Sequence, residues 1–170
     1  MSGQGSKQTV IDSLEFARAE LALRGSLPLA GLTRLKDSLA DAHGTVEFEV
    51  KGGHDARHRP ILTVAIHGML HLKCQRCLEA LDHPLQALNT LLLVAAGAAA
   101  AGELDDEDIE WIEASRELDV ATLVEDEILL GLPYAPRHED GACGPLGTAV
   151  AEGAAASAFA KLAALKRINH

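Results

Sequence analysis

Cysteine and aromatic residues are scarce in this chain: three Cys, three Phe, one Tyr and one Trp among 170 residues. Three cysteines are too few, and odd in number, for the disulfide framework of a small secreted fold. They read instead as free thiols in a reducing compartment, which predicts a cytoplasmic protein of bacterial type. With aromatics at 3%, the core must be built from Leu, Val, Ile and Ala, and a hydrophobic share of 48% suffices for one. Long apolar runs are missing too. The longest, 91–101, is Ala-rich and well short of the roughly 20 residues that span a bilayer. The opening residues carry no hydrophobic stretch, so neither a secretory signal nor a membrane partner is expected.

Positive charge is also in deficit, with 15 Lys and Arg against 25 Asp and Glu. The excess is local. Residues 103–127 hold 12 acids and one base, Arg116, while the remainder has 13 acids against 14 bases. Such a belt repels a polyanion, so DNA is not expected as a partner and RNA must approach elsewhere. A solvated acidic face and a surface for a basic protein are both compatible with it.

The length fits one domain. Residues 1–9 are polar and read as a loose N-terminus. Apolar Leu14, Ala17 and Leu21 recur at helical spacing from Asp12 to about Gly25, and Leu32, Leu35 and Leu39 mark a second short helix. Val46, Phe48 and Val50 then alternate with polar residues, the pattern of a half-buried strand. A polar, basic turn over 51–60 leads to a strand through Leu62, Val64 and Ile66, with Gly68 a bulge or twist point. The chain reverses at 74–77 and returns as a strand over 81–94; 109–112 reads as an edge strand. Asp119 is a good N-cap for a helix on Val120, Leu123, Val124 and Ile128, stopped by Gly131 and Pro133. The expected class is α+β, an antiparallel meander over 45–112 flanked by helices. A single domain covers 10–135, and 136–170 form a mobile tail that ends in a short basic amphipathic helix over 159–167. That helix either docks on a partner or packs back on the domain.

Chemistry concentrates at Cys74-Gln75-Arg76-Cys77. Two intervening residues let both thiolates converge on one ion, and His138 with Cys143 can complete a four-ligand set suited to zinc. The alternative is a pair of thiols closing a hairpin without metal. A redox pair fits less well, because such motifs open helices and this one follows a strand. Lys73 and Arg76 beside the pair, with Lys51, Arg57 and Arg59 in the preceding turn, form one basic patch if the two hairpin ends are neighbours. Scattered aromatics offer no platform for stacking bases, which favours contact with a nucleic-acid backbone or through a protein partner. His54 and His58 read as solvated, while His67 and His71 share a sheet face open to solvent, phosphates or a partner. Glu125, Asp126 and Glu127 splay around a helix, with Glu125 and Asp126 toward solvent, so they form no acid/base site. No nucleophile–base pair, phosphate loop or HExxH motif points to an enzyme.

Three blocks together resemble the bacterial YceD family, the large ribosomal RNA subunit accumulation proteins. They are Leu72-Lys73-Cys74-Gln75-Arg76-Cys77-Leu78; the stretch 119–133 containing Val124-Glu125-Asp126-Glu127-Ile128 and Leu132-Pro133, followed by Pro136, His138 and Cys143; and Phe159-Ala160-Lys161-Leu162 with Leu165-Lys166. The resemblance implies a non-enzymatic role in the synthesis, processing or stability of 23S rRNA. Its expected partners are pre-23S rRNA or large-subunit ribosomal proteins. Some relatives carry extra cysteines after the helix-plus-Pro block and with them a metal-binding label; here His138 and Cys143 stand in that region. The other reading is a zinc-dependent protein-interaction module without direct RNA contact.

Overall fold

The computed structural model describes residues 9–97 and 110–143. The residues before Thr9, the first part of the acidic belt (103–109) and the segment 159–167 lie outside the described residues. Alternation of apolar and polar residues builds the frame. Strands β2 (Ala22–Pro28), β3 (Thr45–His54), β4 (Pro60–Lys73) and β5 (Ala80–Val94) form an antiparallel meander, closed at one edge by β6 (Trp111–Glu113). The class is α+β, as the patterning predicts. A separate antiparallel pair, β1 (Val10–Ile11) with β7 (Leu118–Asp119), ties the chain's early part to the start of the second helix. No helix among the described residues is long and apolar enough to cross a membrane.

Even-numbered residues of β3 and β4 face inward: Val46, Phe48 and Val50 pack with Leu62, Val64, Ile66, Leu70 and Leu72. Helix α2 (Val120–Gly131) lays Val120, Leu123, Val124 and Ile128 on this layer. Asp119 caps it, accepting from the Ala121 amide at 2.9 Å. Leu29, Leu32, Leu35 and Leu39 fill the remaining flank.

Four expectations are corrected. The first helix, α1, covers Ser13–Arg18 and does not reach Gly25. Glu20 takes a left-handed φ of 48°, and Ala22–Pro28 pair residue by residue with β3 from Lys51 to Thr45. A complete ladder outweighs a short helical pattern. The helix expected at 32–39 is two 3-10 turns, Leu29–Gly31 and Thr33–Leu35, after which Leu39 bridges to Leu72. Gly68 is no bulge, because the register runs unbroken on both sides of β4. A Cβ there would lie 3.0 Å from Val46 Cγ1, so the glycine admits the neighbouring valine. Finally, β6 begins at Trp111 and runs parallel to β5, with Leu92 opposite Trp111. A parallel return requires a connection of a dozen or more residues, and 95–110 supplies it.

The flank segment leads to the site. The Ala40 amide donates to the His71 carbonyl at 2.7 Å and the Lys73 amide to that of Ser38 at 2.9 Å. The last residues of β4 are thus held on both sides just before Cys74.

Candidate metal centre

Between β4 and β5 the chain turns through Cys74-Gln75-Arg76-Cys77-Leu78-Glu79. The turn is closed by Leu78 N–H to the Cys74 carbonyl and Cys74 N–H to the Glu79 carbonyl, both at 2.9 Å. Leu78 takes a positive φ of 65°, a conformation costly for a branched side chain and sustained by that closure. Beyond α2, Pro133 and Pro136 end helical structure and the chain crosses back to the turn, where the Pro136 carbonyl accepts the Gln75 amide at 2.9 Å. Residues 136–143 thereby bring His138 and Cys143 to the cysteine pair.

The four donor atoms lie within 4.8 Å of one another. Cys74 Sγ is 3.8 Å from Cys143 Sγ, Cys77 Sγ is 3.4 Å from His138 Nδ1, and Cys143 Sγ is 3.7 Å from the same nitrogen. A tetrahedral ion at usual thiolate and imidazole distances sets sulfur–sulfur edges of about 3.8 Å and sulfur–nitrogen edges of about 3.6 Å. Those three pairs match such edges, and the cluster can hold a metal ion. His138 Nε2 lies 3.0 Å from the Ala80 carbonyl; donating there fixes the tautomer that leaves the Nδ1 lone pair facing the thiols.

Electrostatics favour charged sulfur at Cys74 and Cys143. Cys74 is fully buried, yet the amides of Cys77, His138 and Arg76 outweigh burial and hold its thiol down to about 5. Burial opposes ionisation of Cys143, but Arg76, His138 and Cys77 prevail and lower it. Arg76 Nε donates to Cys143 Sγ at 2.9 Å. The Glu79 amide lowers Cys77, while burial and the neighbouring thiols outweigh it and raise that group. His138 is raised by Cys143 and Cys74, with the Ala80 carbonyl adding to the effect. Protons and a metal therefore compete for the same atoms.

The basic residues do not gather into one patch. Lys51 lies within β3 rather than in the turn, opposite Thr63, while Lys73 ends β4, roughly 33 Å away along the strand. The turn bearing Arg57 and Arg59 stands still farther from the knuckle, because the two turns cap opposite ends of β4. Arg59 Nε donates to Asp55 Oδ2 at 2.7 Å, and Lys51 pairs with Glu49 at 3.0 Å. Arg76 turns its guanidinium over the sulfur cluster and toward the Glu139 carbonyl and the Asp140 carboxylate. Its signal lay inside the CxxC itself. The carbonyls of Ala80 and Pro136 left none, since any residue could supply them. Glu125 is buried rather than solvent-facing, and accepts the Arg34 amide at 2.7 Å. Asp126 meets the Arg34 guanidinium and Glu127 the Asn89 side chain, so two of the carboxylates hold Arg34 and the third turns to β5.

The family model for the large ribosomal RNA subunit accumulation protein YceD matches residues 62–166. The chain belongs to the YceD family. A curated family member from Haemophilus influenzae, named large ribosomal RNA subunit accumulation protein YceD, is 31% identical over 139 residues, covering 78% of this chain and 76% of its own. No solved structure matches. The matched region contains all four donors, Lys73 and Arg76, whereas Lys51, Arg57 and Arg59 precede it. The family's description names rRNA accumulation, which is not an enzymatic activity.

Proposed function

We propose that this chain is a non-enzymatic factor supporting the synthesis, processing or stability of 23S rRNA while the large ribosomal subunit is built in the bacterial cytoplasm. Family membership over 62–166 is the observation that carries this reading, and it favours an rRNA role over an interaction module defined by zinc alone. Pre-23S rRNA or an early large-subunit protein is the partner. Residues 10–135 act as one domain, with 136–143 laid against the knuckle. Lys73 and Arg76 make the knuckle end the contact surface, and Lys51, Arg57 and Arg59 serve as a separate, weaker contact at the far end of β4. Zinc is the metal that three thiolates and one imidazole suit best. Held by Cys74, Cys77, His138 and Cys143, it would supply a closed four-coordinate staple between the hairpin and the segment after α2.

The deciding experiment depletes the protein and follows the ratio of mature 23S to 16S rRNA together with ribosome gradients. A selective fall in 23S and in free large subunits is expected. An unchanged ratio under complete depletion overturns the rRNA role, whatever the metal content. For the contact surface, Lys73→Glu should weaken association with pre-ribosomal particles while leaving the fold intact.

A further inference from the structure

Between α2 and β6 an open cleft of about 410 Å³ is lined by Trp111, Ile112, Leu123 and Leu130. Leu130 is 75% exposed and Trp111 41%, unusual for large apolar side chains side by side on a chain with so few aromatics. The rim is acidic. Glu110, Asp126 and Glu127 line it against one lining cation, Arg34, which already pairs with Asp126. Burial raises the Glu127 carboxyl, the Asn89 side chain opposes this, and Glu110 and Asp126 add to the rise. An occupant with an apolar stripe and basic flanks would cover the exposed side chains and relieve the crowded carboxylates.

Two segments of this chain outside the described residues can reach the cleft. The stretch 98–109 contains Glu103, Asp105, Asp106, Glu107 and Asp108, and like charge disfavours it. The stretch 159–167 contains Lys161, Lys166 and Arg167 and no acid. At helical spacing its Phe159, Leu162 and Leu165 fall on one stripe, with Lys161 at its margin and Lys166 closing the stripe at its C-terminal end. Reach is sufficient. Leu129 lines both this cleft and the one bearing Gln75 and Pro136, so the distance back to the knuckle is on the order of one α2 length, roughly 18 Å. The residues between Cys143 and Phe159 can extend up to about 50 Å.

We propose that residues 159–167 dock in cis into the α2–β6 cleft, with their apolar stripe over Trp111 and Leu130 and their cations against Glu110. Tethering strengthens such a contact because the segment's effective concentration is high.

Trp111 is the single tryptophan of the chain, so its fluorescence in the full-length protein reports on the cleft. Leu162→Asp combined with Leu165→Asp should shift its emission to longer wavelength and increase acrylamide quenching. Glu110→Lys should do the same, and adding Lys161→Glu with Lys166→Glu should restore the original emission. Emission and quenching equal to the parent protein in the leucine variant overturn the proposal. So does failure of the charge reversal to restore emission. Protection that vanishes on dilution assigns the cleft to a second copy of the chain and overturns docking in cis.

Discussion

At one end of β4 the chain reverses through 55–59, where Asp55 Oδ1 accepts the amides of Arg57 and Arg59 at 2.9 and 2.8 Å. At the other it reverses through 74–79, where the Gln75 amide is met by Pro136 and the sulfurs by His138 and Cys143. The first turn is completed by residues at most four positions apart. The second draws on groups more than sixty positions downstream. A local turn forms as soon as its few residues meet, whereas the knuckle must wait for α2 to dock and bring 136–143 across. Beyond the two local bonds that close the turn, its tie to 136–143 depends on tertiary structure, and a metal is a natural means of holding it.

Metal removal tests this contrast most strongly. Stripping the ion with a chelator should lower stability by about 4 kcal/mol relative to protein held at metal a thousandfold above Kd. Hydrogen exchange should rise at Gln75 and across 136–143 and stay low at 55–59; uniform loss of protection would mean that the knuckle is no separate unit. The parent protein is expected to bind about one zinc ion per chain, and Cys77→Ser should bring that close to zero. Acid should release it, since protons displace the metal from these donors.

A second long-range tie is polar but metal-free. Glu125→Ala leaves the Arg34 amide without its carboxylate, and the cost should be about 2 kcal/mol in denaturant unfolding. An effect near zero would show that water replaces the contact. By comparison, Asp55→Ala removes only local hydrogen bonds within one turn and should lower the thermal midpoint by a few degrees at most. A larger loss there than at Glu125 would reverse the ranking of local and tertiary closure.

The smallest effect is a pH dependence beside the knuckle. His71 Nδ1 lies 2.9 Å from Asp41 Oδ2. The Asp41 hydrogen bond, then its charge, raises the His71 pKa above its ordinary 6.5. His71 in turn lowers Asp41 below 3.8, helped by the His43 amide. The histidine's contribution is full below 6.5 and is lost as pH rises through the raised value; the aspartate's is full above 3.8 and is lost as pH falls through the lowered one. Between those limits the pair contributes most. Asp41→Asn should therefore narrow the difference in thermal midpoint between about pH 5.5 and about pH 8.5. An unchanged difference sinks the assignment.

How legible each part was follows the same division. Val46, Phe48 and Val50 announced β3 because a strand's period is two residues, and Asp119 announced α2 because a cap acts within one turn. Leu14 and Ala17 marked α1, but Leu21 misled, since a helical spacing carried on toward Gly25 yields to a seven-residue ladder with β3. Glu125 misled because helix periodicity does not reveal that the Thr33–Leu35 turn passes over it. The basic patch failed on length: a fourteen-residue strand keeps its two turns far apart.

From the sequence alone came the strand alternation, the cap, the cysteine spacing and the family likeness, all properties of neighbouring residues or of blocks in order. Tertiary structure decided that β6 runs parallel, that Ala22–Pro28 is a strand, that Arg76 leans on sulfur, and that His138 and Cys143 meet Cys74 and Cys77. Those outcomes depend on which distant segments pack together, and side-chain periodicity has no reach over such separations.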